Sequence, residues 1–162
     1  GGAWVNAPAG WKYCYTDSTC AKGPLAIGAD SYYFDENGIL GTGWVSYDGA
    51  WHWLGTSGRI ATGWTKVADA WYYMDNSGAM TTGWTQVRGS WFYLADSGKM
   101  ATGWTKIGDS WYYFQESGAM ATGWVNDGGT WYYLNEFGQM VTGRVQIDGT
   151  WYTFDKSGAL RR

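Results

Sequence analysis

The chain has 162 residues, a net charge of −3 and 20% aromatic residues, of which Trp supplies 14. Such a chain offers no basic face to nucleic acid and no polybasic segment to anionic lipid. No apolar run reaches the roughly 18 residues of a membrane helix, and two Cys with one distant His do not make a four-ligand zinc site.

Sliding the sequence against itself gives a period of 20 residues over the whole chain. The first frame holds Trp4, Trp11 and Tyr13, together with Pro8, Cys14 and Cys20. The second has Pro24 and Ser31 where both indoles should stand. Gly-Trp then recurs at Trp44, Trp64, Trp84, Trp104 and Trp124, each followed by a second Trp at Trp51, Trp71, Trp91, Trp111 and Trp131. The last frame keeps Trp151 but replaces the Gly-Trp indole by Arg144 and carries Thr153 where other frames have Tyr. Eight frames fit between Ala3 and Arg162, with degenerate repeats at about 3–42 and 143–162.

Each frame reads as a β-hairpin and a turn. In the frame of Trp64, the break Ala68-Asp69 predicts a two-residue loop. Pairing Val67 with Ala70 sets Trp64 opposite Tyr73. Alternation along the strands then puts Trp64, Trp71 and Tyr73 on one face, and Thr65, Val67, Tyr72 and Met74 on the other. Asp75-Asn76-Ser77-Gly78 supplies the next turn. A lone hairpin is marginal in water, so the frames must stack. The prediction is an all-β fold, an elongated solenoid of stacked hairpins forming a single array over 1–162.

The slot of Met74, Leu94, Phe114, Leu134 and Phe154 interchanges apolar residues, as a core does. The two Trp slots do not. Indole is the best side chain for holding a cation on its face, at about 0.5–2 kcal/mol per contact. Two indoles, a phenol and a thioether would box a trimethylammonium group without a buried carboxylate.

"GWTKVADAWYYMDNSGAMTTGW" resembles the choline-binding repeat of the cell-wall-binding family of Gram-positive surface proteins, autolysins and phage lysins. The resemblance implies a left-handed β-solenoid with choline held between consecutive repeats. Each site would take both Trp of one frame and the third residue of the aromatic run of the next, with a Met as wall. Carried onto this chain, the sets are Trp44 and Trp51 with Tyr73, and Trp64 and Trp71 with Tyr93. They continue with Trp84 and Trp91 with Tyr113, and Trp104 and Trp111 with Tyr133. Trp4 and Trp11 with Tyr33 form a further, irregular set. Met80, Met100, Met120 and Met140 are the candidate walls. The second frame should hold no site, and the site of Trp124 should be weak, because Thr153 offers no π face.

Cys14 and Cys20 occupy apolar slots on either side of one turn, which suits a disulfide in an oxidising compartment; the alternative is two free buried thiols. His52 reads as a tolerated replacement of Tyr. The carboxylates lie mostly in turns, and neither a glycosidase pair nor a Ser-His-Asp arrangement stands out. The expectation is a non-catalytic module of a larger, secreted or surface protein, without cofactor or metal. Its partner would be phosphocholine on teichoic or lipoteichoic acids. The alternative is a glucan- or host-glycan-binding array like those of glucosyltransferases and toxins, since aromatic faces also stack on sugars.

Overall fold

The computed structural model describes residues 1–161. Among them every regular element is a β-strand, and the strands pair only as eight antiparallel hairpins. The chain divides into two compact units, Gly1–Thr81 and Thr82–Arg162, each with four hairpins.

The first unit pairs β1 (Gly2–Ala7) with β2 (Gly10–Tyr15), β3 (Gly23–Ile27) with β4 (Asp30–Phe34), β5 (Gly43–Tyr47) with β6 (Ala50–Leu54), and β7 (Gly63–Val67) with β8 (Ala70–Met74). The second pairs β9 (Gly83–Val87) with β10 (Ser90–Leu94), β11 (Gly103–Ile107) with β12 (Ser110–Phe114), β13 (Gly123–Asp127) with β14 (Thr130–Leu134), and β15 (Gly143–Ile147) with β16 (Thr150–Phe154). The register is the expected one: Val67 pairs Ala70, Lys66 pairs Trp71 and Trp64 pairs Tyr73.

Most of the two-residue loops reach the primed conformations that match strand twist, the exception being Pro8-Ala9, where neither residue has positive φ. Both loop residues have positive φ at Asp48-Gly49, Arg88-Gly89, Gly128-Gly129 and Asp148-Gly149. At Ala68-Asp69 only Ala68 does, with φ 53°.

Within each unit the hairpins are fastened by the extended link that follows each turn. Thr81 N–H donates to the Tyr73 carbonyl of its own hairpin, while Met80 N–H donates to the Trp51 carbonyl of the preceding one, both at 2.8 Å. Met120 and Met140 make the same bond to Trp91 and Trp111, and Leu40 to Trp11. One edge carbonyl of each such hairpin is thus satisfied by its successor. The core is the interchangeable apolar slot: Phe34, Leu54, Met74, Leu94, Phe114, Leu134 and Phe154 are all buried. Cys14 and Cys20 take the places of Met74 and Met80 in the first frame and are joined by a disulfide.

Candidate functional site

The two indole slots stand apart from this core. Trp51 remains 49% exposed, and Trp91 and Trp111 each 41%. In the second unit Trp91, Trp111 and Trp131 each line an open, aromatic cavity. One of about 320 Å³ is lined by Trp84, Trp91, Tyr112 and Met120, with Glu136 and Phe137 at its rim. A second, of about 220 Å³, is lined by Trp104, Trp111, Tyr132 and Met140, with Lys156 and Ser157. The third, about 500 Å³, has Trp124, Trp131, Tyr152, Leu160 and Arg161. In the first unit, Trp4, Trp11, Tyr32 and Leu40 line a cavity of about 400 Å³ with Thr56 and Ser57.

The rings meet edge to face. Trp84 lies 6.4 Å from Trp91 at 83° and 4.9 Å from Tyr112 at 68°. Trp104 meets Tyr132 at 4.8 Å, Trp124 meets Tyr152 at 5.0 Å, and Trp4 meets Tyr32 at 5.0 Å. Trp44 meets Tyr72 at 5.0 Å, and the bond from Met80 N–H to the Trp51 carbonyl ties that link to the same hairpin. Edge-to-face contact is a favoured aromatic geometry, and with it Trp84, Trp91 and Trp111 stay about two-fifths exposed.

The third ring is therefore the middle residue of the next aromatic run, not its last. Tyr113, expected beside Trp84, instead sits across its own hairpin from Trp104, 4.9 Å away. Tyr133 is likewise opposite Trp124, Tyr93 opposite Trp84, and Tyr73 opposite Trp64. The physical reason is the link. Its backbone bond to the preceding hairpin turns the next hairpin's other face, with Tyr112 and Phe114, onto Trp84. Alternation predicts faces within a hairpin and says nothing about which face meets a neighbour. The sequence does not separate the two choices: the inward slot holds Tyr32, Tyr72, Tyr112, Tyr132 and Tyr152 but also Lys12, His52 and Phe92, and the last residue of the run is as often Tyr.

Two further expectations change. The Trp124 set does not depend on Thr153, which pairs with Arg144, because Tyr152 provides its third ring. Tyr33 does not reach the Trp4 cavity. It stacks on Tyr47 at 4.5 Å, and Tyr47 stacks on His52 at 3.7 Å. That pile of rings belongs to the frames around the missing indoles, where Tyr33 faces Pro24. His52 is 3% exposed and its Nδ1 has no hydrogen-bond partner. Burial pushes the Tyr47 phenol above its ordinary pKa, with Asp48 adding to the shift.

Charge touches the indoles at two other places. Asp127 accepts the Trp104 indole N–H at 2.9 Å. Arg144 lays its guanidinium 4.2 Å from the centre of the Trp151 ring, so the last frame holds a cation of its own. Among the described residues no cluster of three or more His, Cys, Asp or Glu could hold a metal, and no helix is long and apolar enough to cross a membrane.

A family model described as a choline-binding repeat matches residues 61–102, 101–136 and 121–162, and a putative cell wall binding repeat matches residues 42–60. The chain belongs to the choline-binding repeat family. Among solved structures, these repeats are similar to CbpJ of Streptococcus pneumoniae, with 40% identity over 94% of this chain and 56% of that one, at a TM-score of 0.89. Choline-binding protein F of the same organism, solved in the presence of a peptidoglycan analogue, matches at 34% identity, 99% and 57% coverage, and TM-score 0.92. The cell wall endolysin of phage Cp-1, complexed with choline, matches at 35% identity, 74% and 37% coverage, and TM-score 0.53. The repeats span little more than half of the pneumococcal chains they match. No curated protein matches.

Proposed function

We propose that the chain is a non-catalytic module that holds a secreted or surface protein on phosphocholine-bearing wall polymers, teichoic and lipoteichoic acids among them. Each site takes the trimethylammonium group between two indoles of one frame and the middle aromatic of the next, with Met or Leu as wall. Trp44 with Trp51, Trp84 with Trp91, and Trp104 with Trp111 contribute in this way. The reading includes, within each four-hairpin unit, the left-handed solenoid path that the resemblance implies. It also makes the chain one binding array, with any catalytic domain outside it.

The observation that carries the reading is the half-exposed indole pair beside a cavity lined by Trp84, Trp91, Tyr112 and Met120. Exposed Trp is costly unless something covers it, and this lining suits a permanent cation better than a sugar. A sugar would need converging polar groups against its hydroxyls.

Titrating choline while following Trp fluorescence tests it. The signal is expected to saturate and the melting temperature to rise, because the ligand binds only the folded state. No response to choline beside a clear response to a glucan would replace this reading with the carbohydrate one.

A further inference from the structure

The cavities share an aromatic floor but differ at the rim. Glu136 and Phe137 line the Trp84 cavity, Lys156 and Ser157 the Trp104 cavity, and Thr56 and Ser57 the Trp4 cavity. These are the same two slots of the repeat, taken each time from the turn two frames on. Elsewhere the second slot is polar, Asp17, Asn37 or Ser; at the Trp84 cavity it is Phe137, which is 68% exposed.

We infer that this turn slot sets the anion preference of each cavity. The Trp104 cavity takes choline esterified to phosphate, with Lys156 as the phosphate's partner. The Trp84 cavity, with Glu136, prefers a quaternary ammonium bearing no anion. The inference rests on the choline reading above and assigns a ligand class to each site.

The argument follows from how choline enters an aromatic box. Its three methyls go inward and its hydroxyethyl arm points to the open mouth. Whatever is esterified to the arm lies at the rim, beside residue 136 or 156. Both side chains are exposed, so the pairing has the strength of a surface ion pair. The Trp104 site also carries both signs of charge, one on a lining side chain and one bonded to a lining indole. Asp127 sits against the edge of the Trp104 indole, favouring the ammonium group, and Lys156 lines the cavity, favouring phosphate. At the Trp84 cavity the carboxylate of Glu136 repels phosphate at the rim, and Phe137 beside it offers phosphate no side-chain partner. Arg161 gives the Trp124 cavity the same sign as Lys156.

The test uses the whole chain with choline, phosphocholine and inorganic phosphate as probes. Indole N–H resonances of Trp84 and Trp104 report each cavity separately. The ratio of phosphocholine to choline affinity is expected to be higher at Trp104 than at Trp84. Lys156→Glu should lower phosphocholine affinity at Trp104 by about two- to fivefold and leave choline affinity equal or tighter. Glu136→Lys should raise phosphocholine affinity at Trp84 by a similar factor. Both positions are exposed turn residues, so the variants keep the fold. Equal ratios at the two cavities, or ratios unmoved by either substitution, would overturn the inference while leaving choline binding intact. Absence of choline shifts at both indoles would instead remove the underlying reading. In separate arms, Lys156→Glu should weaken co-sedimentation with isolated phosphocholine-bearing wall polymer, with phosphatidylcholine vesicles unbound throughout. Binding to the vesicles alone would move the ligand's source to lipid and overturn the wall assignment.

Discussion

Trp84 packs by its edge against Tyr93 of its own hairpin and Tyr112 of the next, so one ring serves both packing and the cavity. Trp84→Ala should abolish choline binding at that cavity and cost about 2 kcal/mol of stability, less than a fully buried indole because Trp84 is 38% exposed. Calorimetry and denaturant melts would check both. The third ring can be tested directly. Tyr112→Ala should weaken the Trp84 site, whereas Tyr113→Ala should loosen the Trp104 hairpin and spare the Trp84 site. The opposite pattern would restore the arrangement expected from the resemblance. Thr153→Tyr should add no site, since Thr153 faces Arg144 across its hairpin and Tyr152 already lines the cavity.

At the scale of the hairpin, stability depends on loops, turns and links. Ala68 holds φ 53°, which costs an L-residue about 1–2 kcal/mol that glycine avoids. Ala68→Gly should raise the melting temperature. The turn at Asp75 is closed by its carboxylate, which accepts from Ser77 N–H at 2.8 Å and from the Ser77 hydroxyl. The Ser77 hydroxyl bond, first among the causes, lowers the Asp75 pKa, and Ser157 and Thr19 act in the same way on Asp155 and Asp17. A depressed folded pKa stabilises the fold above the unfolded value and loses that contribution as pH falls through the folded one. Acid melting should therefore set in below about pH 4. Asn135 makes the same turn without titrating, accepting from Phe137 and Gln139 N–H at 2.9 Å each. Asp75→Asn with Asp155→Asn should thus keep the turns and flatten the pH dependence below pH 4, as thermal melts across pH would show. In the first hairpin, replacing Cys14 and Cys20 by Ala should cost about 2 kcal/mol through the lost six-residue closure, read from denaturant unfolding.

For the whole chain, several weak sites on one polypeptide gain by effective concentration when the ligand is a polymer. Removing the Trp84 and Trp124 cavities one after the other, each by Trp→Ala, should lower affinity for phosphocholine-bearing polymer by about tenfold or more per step. Affinity for free choline at the remaining cavities should stay unchanged. Surface binding set against calorimetry separates the two quantities, and equal losses in both would show that the sites do not act together. The 20-residue period, the hairpins, their register and the exceptional status of the Trp slots were all legible in the sequence, because each depends on neighbours within one frame. Alternation along Gly63–Val67 and Ala70–Met74 is a local property of the backbone. The partner of each indole was not legible. Tyr112 and Tyr113 recur equally well, and only the bond from Met120 N–H to the Trp91 carbonyl decides which face of the next hairpin meets Trp84. The rim charges Glu136 and Lys156 were hidden for the same reason, since they come from a turn two frames away. A repeat fixes what each frame is by local chemistry, whereas what each frame touches is decided by the rotation between frames, which no single frame encodes.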